Sequence, residues 1–391
     1  MTMSQTANVV VIGGGIIGTA ITYYLAKKGV KNVVLVERRG IGEESSSACD
    51  SGVMIHTKAP GLMQKIQQKS NRMYENLSQE LGREVHYNKM GSMVMIDDPS
   101  LVGTIEDTIK QQVGVGINVS LISGDDARKI EPCLSKNICA VSYCLDDALV
   151  SPMDVTLGYA NAAAKLGATI LTNTPVTDIL VENGKVKGVV TPNGIIYTEI
   201  VVNAAGVFSP EIGKMAGMDV PVIPRRGNII VCEQLAPVVN HILICCRYVA
   251  LKYHPELAET SDDPSMKMGV NLFLEQTHTG NILFGSNREW SGYDKSTSYE
   301  ILRAICNYAT QYVPFLKDIN IIRTYAGLRP YCEGGPILGP VDELQGMIMA
   351  TGHEGGGIGY GPAMGDIMSD YIIDGKITDE IAPFLYSRFQ K

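Results

Sequence analysis

Basic side chains are in the minority in this sequence and form no block along it. The 391 residues include 33 lysines and arginines against 41 aspartates and glutamates, which gives a formal net charge of −8 at pH 7. Proteins that bind nucleic acids or anionic membranes concentrate positive charge on one face or segment. The sequence therefore disfavours both kinds of partner, and small molecules or proteins are expected instead.

The cysteines lack the regular pairing of disulfide frameworks and metal sites. Their number, nine, is odd, and their spacing is irregular, which favours free thiols and a reducing, cytoplasmic location. Cys133, Cys139 and Cys144 match neither the paired cysteines of zinc sites nor the common spacings of iron–sulfur ligands. No metal site is predicted.

One long segment lacks charged residues, from Val9 to Ala26, and its eighteen residues are enough to span a membrane as a helix. Three adjacent glycines, Gly13–Gly15, interrupt it, and they follow the β-branched residues 9–12, which favour a strand. The preceding residues carry no basic side chain of the kind that begins a secretory signal. The segment therefore predicts a strand, a tight turn and a helix of a soluble protein, with no transmembrane segment.

The turn after the first predicted strand has the glycine spacing of a dinucleotide site. Gly13, Gly15 and Gly18 form the pattern G-x-G-x-x-G between a predicted strand and a predicted helix. The first glycine permits the sharp turn, the second lets the backbone approach a pyrophosphate, and the third lets the helix pack on its strand. A second predicted strand, Val33–Val36, ends at Glu37, whose carboxylate can accept hydrogen bonds from an adenosine ribose. The motif predicts a dinucleotide and leaves NAD and FAD both open.

Three later segments also suit a negatively charged ligand. Residues 38–54 are rich in small and hydroxyl side chains, which favours a second phosphate contact, although a solvated loop fits this composition equally well. A series of short predicted strands ends at Asn203–Gly206, where small residues let a ligand approach the backbone. A glycine-rich loop after His353 precedes a predicted helix, whose N-terminus is a second site for negative charge.

These motifs together resemble the FAD-dependent amino-acid oxidoreductases of the glycine oxidase and D-amino-acid oxidase family. The resemblance covers essentially the whole chain. It implies an α/β fold with a discontinuous, Rossmann-like FAD-binding domain and a second, largely antiparallel α+β substrate domain. The residues that carry it are "GGGIIG" with Glu37, residues 45–52, "NAAG" at 203–206, "GLRP" at 327–330 and "GHEGGG" at 352–357.

A chain of this length exceeds what one hydrophobic core usually serves, so two domains are expected. Alternating side chains near 92–96 and 271–276 predict strands of the second domain. The polar segment from Tyr253 to Met268 is predicted to be a surface loop, with a lid or a subunit contact as the alternative. The resemblance implies an FAD-binding domain at residues 1–80, 146–215 and 326–391, and a substrate domain at 81–145 and 216–325.

Two segments narrow the resemblance to FAD-bearing subunits of multi-subunit dehydrogenases. "FLEQTHTGNILFGSNREWSGYD" and "RTYAGLRPYCEGGPILGPV" are similar to opine oxidase, hydrogen cyanide synthase, D-hydroxyproline dehydrogenase and dye-linked L-proline dehydrogenase. This implies partner subunits that carry electrons onward, with a homo-oligomer as the alternative. The chain departs from the subgroup at Cys332–Glu333 and at Gly356, near the expected flavin and substrate.

The resemblance also implies a reaction and its residues. The reaction is oxidation of the C–N bond of a small amino or imino acid (glycine, sarcosine, proline, hydroxyproline or an opine), with hydride transfer to flavin N5. Arg329 is expected to bind the substrate carboxylate, and His353 to orient the substrate or tune its amine, with a backbone hydrogen bond as its alternative role. Cys332 is interpreted as a packing residue beside noncovalent FAD, while Arg225 and Arg226 either line the flavin side of the substrate domain or form a solvated strand end. The residues implied to bind FAD are Gly13, Gly15, Ile16, Ile17, Gly18, Glu37, Arg38, Ser45, Ser46, Ser51, Gly52, Val53, Val176, Ala205, Gly206, Gly355, Gly356, Gly357 and Ile358.

Two other classes of protein stay open. A nicotinamide-dependent dehydrogenase would explain the first motif but not the carboxyl-terminal loop. A flavin-bearing electron-transfer subunit, inactive alone, would retain every FAD motif without substrate turnover.

Overall fold

The protein's computed structural model describes residues 5–253, 256, 259 and 261–390. Its strands are β1 (Gln5–Thr6), β2 (Val9–Ile12), β3 (Val33–Val36), β4 (Gly52–Val53), β5 (Ser92–Ile96), β6 (Val119–Ser123), β7 (Ala140–Cys144), β8 (Ala148–Leu149), β9 (Thr169–Leu171), β10 (Asp178–Glu182), β11 (Lys185–Thr191), β12 (Gly194–Tyr197), β13 (Val201–Asn203), β14 (Ile223–Gln234), β15 (Ile242–Cys245), β16 (Phe273–Gln276), β17 (Asn281–Gly285), β18 (Ile321–Tyr331), β19 (Ile337–Pro340) and β20 (Met347–Thr351).

The helices separate and cover these strands. They are α1 (Ile16–Lys27), α2 (Leu62–Tyr74), α3 (Leu77–Leu81), α4 (Val102–Gly114), α5 (Gly124–Ile130), α6 (Pro152–Lys165), α7 (Ser209–Met215), α8 (Cys246–Tyr253), α9 (Pro264–Lys267), α10 (Tyr299–Tyr312) and α11 (Gly357–Asp374). Short 3-10 helices lie at Pro99–Leu101, Gly206–Phe208, Pro314–Asp318, Glu354–Gly356, Ala382–Phe384 and Tyr386–Phe389.

A six-stranded sheet forms one half of the molecule, in the order β19-β20-β13-β2-β3-β9. All its pairings are parallel except that of β19 with β20. Strands β2 and β3 are buried along their whole length, which explains their unbroken apolar sequences. Helix α1 packs against α6 and α11, and Ile21, Leu25 and Met364 share their core. The predicted strand, turn and helix at the start of the chain are confirmed.

An eight-stranded sheet forms the other half, in the order β18-β14-β17-β16-β15-β5-β7-β6. Its pairings are antiparallel apart from β15 with β5. Strands β5 and β16 confirm the two strands predicted from alternation. Tyr308 and Tyr312 of α10 join Leu243 and Leu274 in the core of this sheet.

Two smaller sheets complete the fold, one of four strands in the order β1-β12-β11-β10 and one that pairs β4 with β8. The architecture confirms the predicted fold class, a Rossmann-like part with a second, largely antiparallel part. The domain boundaries stay a prediction, and β18 runs from residue 321 to 331, across the expected boundary at 326.

Part of the predicted surface loop at 253–268 is helical, because α9 occupies Pro264–Lys267. Residues 254, 255, 257, 258 and 260 lie outside the described residues. Within the described ranges, no helix is both long enough and apolar enough to cross a membrane.

Candidate active site

The glycine-rich turn between β2 and α1 is packed against the backbone of Ala204, the residue directly after β13. Gly13 has φ of +111°, and a Cβ atom there would lie 2.5 Å from the carbonyl oxygen of Ala204. A Cβ atom on Gly18 would overlap the carbonyl oxygen of Gly13. Only glycine fits both positions, so the first and third glycines of the motif bring the strand end and the helix together.

Glu37 closes one end of this turn from the tip of β3. Its Oε2 accepts a hydrogen bond from the backbone N–H of Gly14 at 2.7 Å, and its Oε1 accepts one from Arg39 N–H at 2.8 Å. A carboxylate has about four lone-pair positions, so capacity remains for a ribose hydroxyl. The sequence predicted the position of this acid but not its bond to the glycine turn.

The serine-rich segment joins the two halves of the molecule. Ser46 Oγ accepts a hydrogen bond from Ile16 N–H, in the first turn of α1, at 3.0 Å. Ser45 Oγ donates to the carbonyl of Leu328, on β18, at 2.6 Å. The segment is thus an ordered link between the parallel sheet and the antiparallel sheet, and the solvated-loop alternative does not describe these two serines.

A cavity lies between the two sheets and has an empty volume of about 1770 Å³, including its opening to solvent. Its wall combines residues of the glycine-rich turn, of the serine-rich segment and of β18. Of the residues predicted from sequence, those lining it are Gly13, Gly15, Ile16, Ile17, Glu37, Arg38, Ser45, Ser46, Gly52, Val176, Ala205, Gly206, Arg329, His353, Gly355, Gly357 and Ile358.

Four predicted cofactor residues do not line the cavity. Gly18 packs against the glycine turn, Val53 is fully buried in the β4–β8 pair, and Gly356 is buried in the loop before α11. Ser51 faces Glu275, to which it donates hydrogen bonds from its backbone N–H and from Oγ, the latter at 2.7 Å. Burial, together with the nearby Asp50 carboxylate, raises the pKa of Glu275 to about 8.

Arg329 lies on the cavity wall near the end of β18. Its Nη1 donates to the carbonyl oxygen of Asn287 at 3.2 Å, and its Nη2 donates to Ser286 Oγ at 3.0 Å. No carboxylate among the described residues forms an ion pair with it. Burial lowers its pKa, and the neighbouring Arg288 guanidinium lowers it further. Because three of its five N–H groups remain available, Arg329 can bind an anionic group in the cavity.

His353 is 5% exposed and its Nε2 is buried with no hydrogen-bond partner. Burial lowers its pKa to about 4, so the imidazole is neutral near pH 7. A neutral imidazole offers one donor and one acceptor. His353 lines the cavity, and its buried Nε2 has a hydrogen-bonding capacity that no described group uses.

The chain is similar to known flavoproteins along nearly its full length. The family described as DAO, FAD dependent oxidoreductase, matches residues 8–371. The chain belongs to this family. FAD is its cofactor, and the nicotinamide alternative left open by the first glycine motif falls away. The cavity of this DAO-family chain is lined by Glu37, by His353 and by the first residues of α1 and α11, Ile16 and Gly357.

Individual relatives of this DAO-family chain match it from end to end. Hydrogen cyanide synthase subunit HcnC of Pseudomonas aeruginosa is 27% identical over 430 residues, covering 99% of this chain and 97% of that protein. Glycine oxidase of Bacillus subtilis is 27% identical, covering 97% of this chain and 96% of that protein. The crystal structure of L-proline dehydrogenase from P. horikoshii has a TM-score of 0.87 and 29% identity, and 99% of both chains is covered. The likeness includes both large sheets.

The sequence did not predict that Arg225 is buried. It is 3% exposed and forms an ion pair with Glu354, which lies in the loop that follows His353. The solvated-strand alternative is therefore wrong for Arg225. The partners are 129 positions apart in the sequence, so no local pattern indicated the pair.

One cluster of metal-ligand residue types lies outside the cavity. The ligand atoms of His56, Cys144 and Asp147 lie within 4.8 Å of one another. Both ring nitrogens of His56 are hydrogen-bonded to serine hydroxyls, Ser92 at 2.7 Å and Ser142 at 2.8 Å. With these nitrogens engaged, the cluster is a buried hydrogen-bond network.

Proposed function

We propose that this FAD-dependent oxidoreductase oxidises the C–N bond of a small amino or imino acid. Two relatives that match the whole chain are a glycine oxidase and an L-proline dehydrogenase, and their names place amino acids among the family's substrates. The observation that carries the proposal is the Arg329 guanidinium, which lines the cavity without an ion-pair partner among the described residues. Such a group suits the carboxylate that every amino acid carries.

The residues proposed to hold FAD follow from the shape of the cavity. Glu37 accepts hydrogen bonds from the adenosine ribose, while Gly15 and Gly357 place the N-termini of α1 and α11 against negatively charged parts of the cofactor. Arg38 covers the ring of Phe208, with its guanidinium carbon 3.5 Å from the ring centre. Bound FAD supplies the two-electron acceptor for a hydride that leaves the substrate α-carbon.

Arg329 positions the substrate for this transfer. A planar guanidinium binds a carboxylate at two points, which fixes both its distance and its orientation. The bonds from Arg329 to Ser286 and Asn287 hold the guanidinium in place before substrate binds, so less free energy is lost on ordering it.

His353 assists as a neutral hydrogen-bonding group. Because its pKa of about 4 keeps it uncharged near pH 7, it does not repel a protonated substrate amine that enters the cavity. Its unpartnered Nε2 can form a hydrogen bond that orients the amine.

We also propose that electrons leave this chain through a partner subunit, and that the protein is cytoplasmic. The first proposal is supported by the full-length similarity to a protein named as a subunit, HcnC. The second is supported by the nine cysteines, all of them free thiols, as in reducing compartments.

The proposed activity is tested with the purified chain and a panel of glycine, sarcosine, proline, hydroxyproline isomers and opines. Turnover is followed with a dye as electron acceptor and, separately, with oxygen. We expect reduction of the dye by at least one member of the panel and slow turnover with oxygen. A yellow protein that turns over none of them contradicts the proposed function and favours the alternative of an electron-transfer subunit. Rapid turnover with oxygen by the lone chain contradicts the partner proposal.

A further inference from the structure

Asp50 belongs to a segment that crosses the face of the antiparallel sheet. A Cβ atom on Gly327, in β18, would overlap the carbonyl oxygen of Ala48, so this part of the segment lies against β18. The segment reaches β16 a few residues later, where Ser51 donates hydrogen bonds to Glu275. Asp50, one position before Ser51, is half-buried and lines the cavity between the two sheets.

The Arg329 guanidinium reaches the same part of the cavity from β18. Its Nη2 donates to Ser286 Oγ, directly after the end of β17. Phe273 of β16 pairs with the last residue of β17, and a Cβ atom on Gly52 would lie 3.1 Å from the Phe273 ring. Gly52 donates its backbone N–H to Asp50 Oδ1 at 3.4 Å. The guanidinium and the segment of Asp50 thus lie over neighbouring residues of β16 and β17.

Asp50 and Arg329 have opposite charges, yet neither forms an ion pair with a residue that the structure describes. Four other acidic residues of the cavity wall are already engaged, by backbone N–H groups or by arginines: Glu37, Glu44, Glu211 and Glu354. The cavity wall therefore presents a cation and an anion without ion-pair partners. An amino acid is a zwitterion, so it can supply the opposite charge to both.

We propose that Asp50 binds the amino group of the substrate and takes a proton from it before the hydride leaves. The inference rests on the proposed function, in which Arg329 binds the substrate carboxylate. One N–H bond of the substrate ammonium breaks and an O–H bond forms on Asp50, which leaves an electron pair on the nitrogen. That pair forms the C=N bond as the α-hydrogen leaves with both electrons of the C–H bond, which bound FAD accepts. A protonated amine has no such pair, so its oxidation needs a base.

The charged and titratable groups around Asp50 suit this role. Burial raises its pKa, which makes it a better proton acceptor than a solvated aspartate, while the charges of Arg329 and Lys58 oppose the rise. Burial, with the Asp50 charge as a further contribution, raises the pKa of Cys49, Tyr248, Glu275 and Tyr325. With a pKa of about 8, the Glu275 carboxyl is mostly protonated and neutral near pH 7. The anion that faces the substrate amine is therefore Asp50.

The pH dependence of Asp50→Asn tests this role, with the amino acid identified in the dye assay as substrate. At pH 7 we expect kcat/KM of the variant holoenzyme to be lower than that of the wild type by roughly a hundredfold or more, as removal of a general base usually causes. The loss should shrink as the pH rises towards the pKa of the substrate amine, because a neutral amine needs no base. The wild-type kcat/KM should fall at low pH, where Asp50 takes a proton from solvent.

Binding without turnover tests the charge of Asp50 separately. Trimethylglycine and 3,3-dimethylbutanoate have the same shape and the same carboxylate, but only trimethylglycine carries a cation, and neither can form an imine. Titration followed by flavin absorbance should show that the wild type binds trimethylglycine more tightly, by about tenfold or more. Asp50→Asn should remove this preference.

Two further variants serve as controls. Asp107→Asn removes an exposed carboxylate on α4 and should change neither the kinetics nor the binding. Asp50→Glu keeps the carboxylate, so the shape of its pH profile should be that of the wild type. If Asp50→Asn does not retain FAD, Asp50→Ser takes its place in both measurements.

Unchanged kinetics of Asp50→Asn, or a loss of kcat/KM that is the same at every pH, overturns the inference. So does equal binding of the two ligands by the wild type, and if the cavity admits neither ligand, the kinetics decide alone. In each of these cases, turnover of an amino acid still supports the proposed function. If no amino or imino acid is oxidised, the proposed function fails and the proton transfer to Asp50 fails with it.

Discussion

At the scale of single residues, Arg329 is the one on which we expect substrate binding to depend most directly. Each charge-assisted hydrogen bond to a carboxylate contributes about 1.5 to 3 kcal/mol, so Arg329→Leu should lower kcat/KM by roughly ten- to a few hundredfold. The flavin absorbance should change little, because the guanidinium bonds to Ser286 and Asn287 rather than to the glycine turn. Steady-state kinetics with the substrate identified in the dye assay measure the loss.

Arg323→Leu is the matched control for this change. Arg323 lies on the same strand, β18, but is exposed, so its removal should leave kcat/KM nearly unchanged. Loss of FAD from Arg329→Leu would show a structural role for the guanidinium. Unaltered kinetics would rule out the carboxylate contact.

Glu275 should make the stability of the protein depend on pH. Its pKa is raised to about 8 by burial and by Asp50, against a value near 4.5 when exposed. The folded state therefore binds the proton more tightly than the unfolded state. The stabilisation is fully present below about pH 4.5 and is lost as the pH rises towards about 8, by about 1.4 kcal/mol per unit of pKa difference.

Urea unfolding of wild type and Glu275→Gln at pH 5, 7 and 9 measures this effect. The free energy of unfolding of the wild type should fall relative to the variant as the pH rises. The control is Glu106→Gln, on the exposed face of α4. Its free energy of unfolding should change with pH as that of the wild type does. If the free energies of unfolding of wild type and Glu275→Gln differed by the same amount at the three pH values, the raised pKa would be contradicted.

At the scale of elements, the contact between β2, α1 and β13 depends on Gly18. A methyl group there would overlap the carbonyl oxygen of Gly13, and the helix would have to move off the strand. Gly18→Ala should therefore lower the FAD content and reduce stability by about 1 to 3 kcal/mol, the usual cost of overpacking a core. The ratio of flavin absorbance to protein absorbance measures the FAD content, and thermal unfolding measures the stability.

Gly103→Ala provides the comparison within another helix, α4. A Cβ atom at Gly103 would meet nothing within 4 Å, so alanine should be neutral or stabilise by about 0.5 to 1 kcal/mol. Full FAD content and unchanged stability of Gly18→Ala would contradict the close packing of the turn.

The elements that sequence predicts best are those whose pattern is local. The apolar runs of β2 and β3, the glycine turn between β2 and α1, and the alternation in β5 each indicate one element without reference to the rest of the chain. Side-chain hydrogen-bond partners cannot be predicted from such local patterns. The bonds from Ser46 to Ile16 and from Ser45 to Leu328 join positions 30 and 283 apart, and only the packing of the two sheets brings them together.

Buried polar residues were also not predicted, because the residues that they contact are distant in the sequence. Arginine is usually an exposed residue type, but Arg225 is buried and paired with Glu354, 129 positions away in the sequence. Ser51 lies in a segment that resembles a phosphate-binding loop, yet it turns to the buried carboxylate of Glu275 on another strand. Family resemblance identified the cofactor, and the structure was needed to show which side chains reach the cavity.

At the scale of the whole molecule, we expect the cavity between the two large sheets to hold FAD without a covalent bond. Cys332 is 4% exposed and is absent from the lining residues. Acid or heat denaturation should therefore release the flavin, at about one FAD per chain, into the supernatant. Absorbance of the supernatant and of the precipitated polypeptide measures how the flavin divides between them. Flavin that stays with the polypeptide would show a covalent bond.

The central claim, that this chain itself oxidises an amino or imino acid with its FAD, is tested most directly by anaerobic mixing. The purified yellow protein is mixed with each member of the substrate panel in the absence of oxygen and of any dye, and the visible absorbance of the flavin is recorded. We expect at least one amino or imino acid to bleach the flavin, and we expect Arg329→Leu to slow this bleaching while Arg323→Leu does not. An oxidised flavin spectrum that persists with every member of the panel would contradict it.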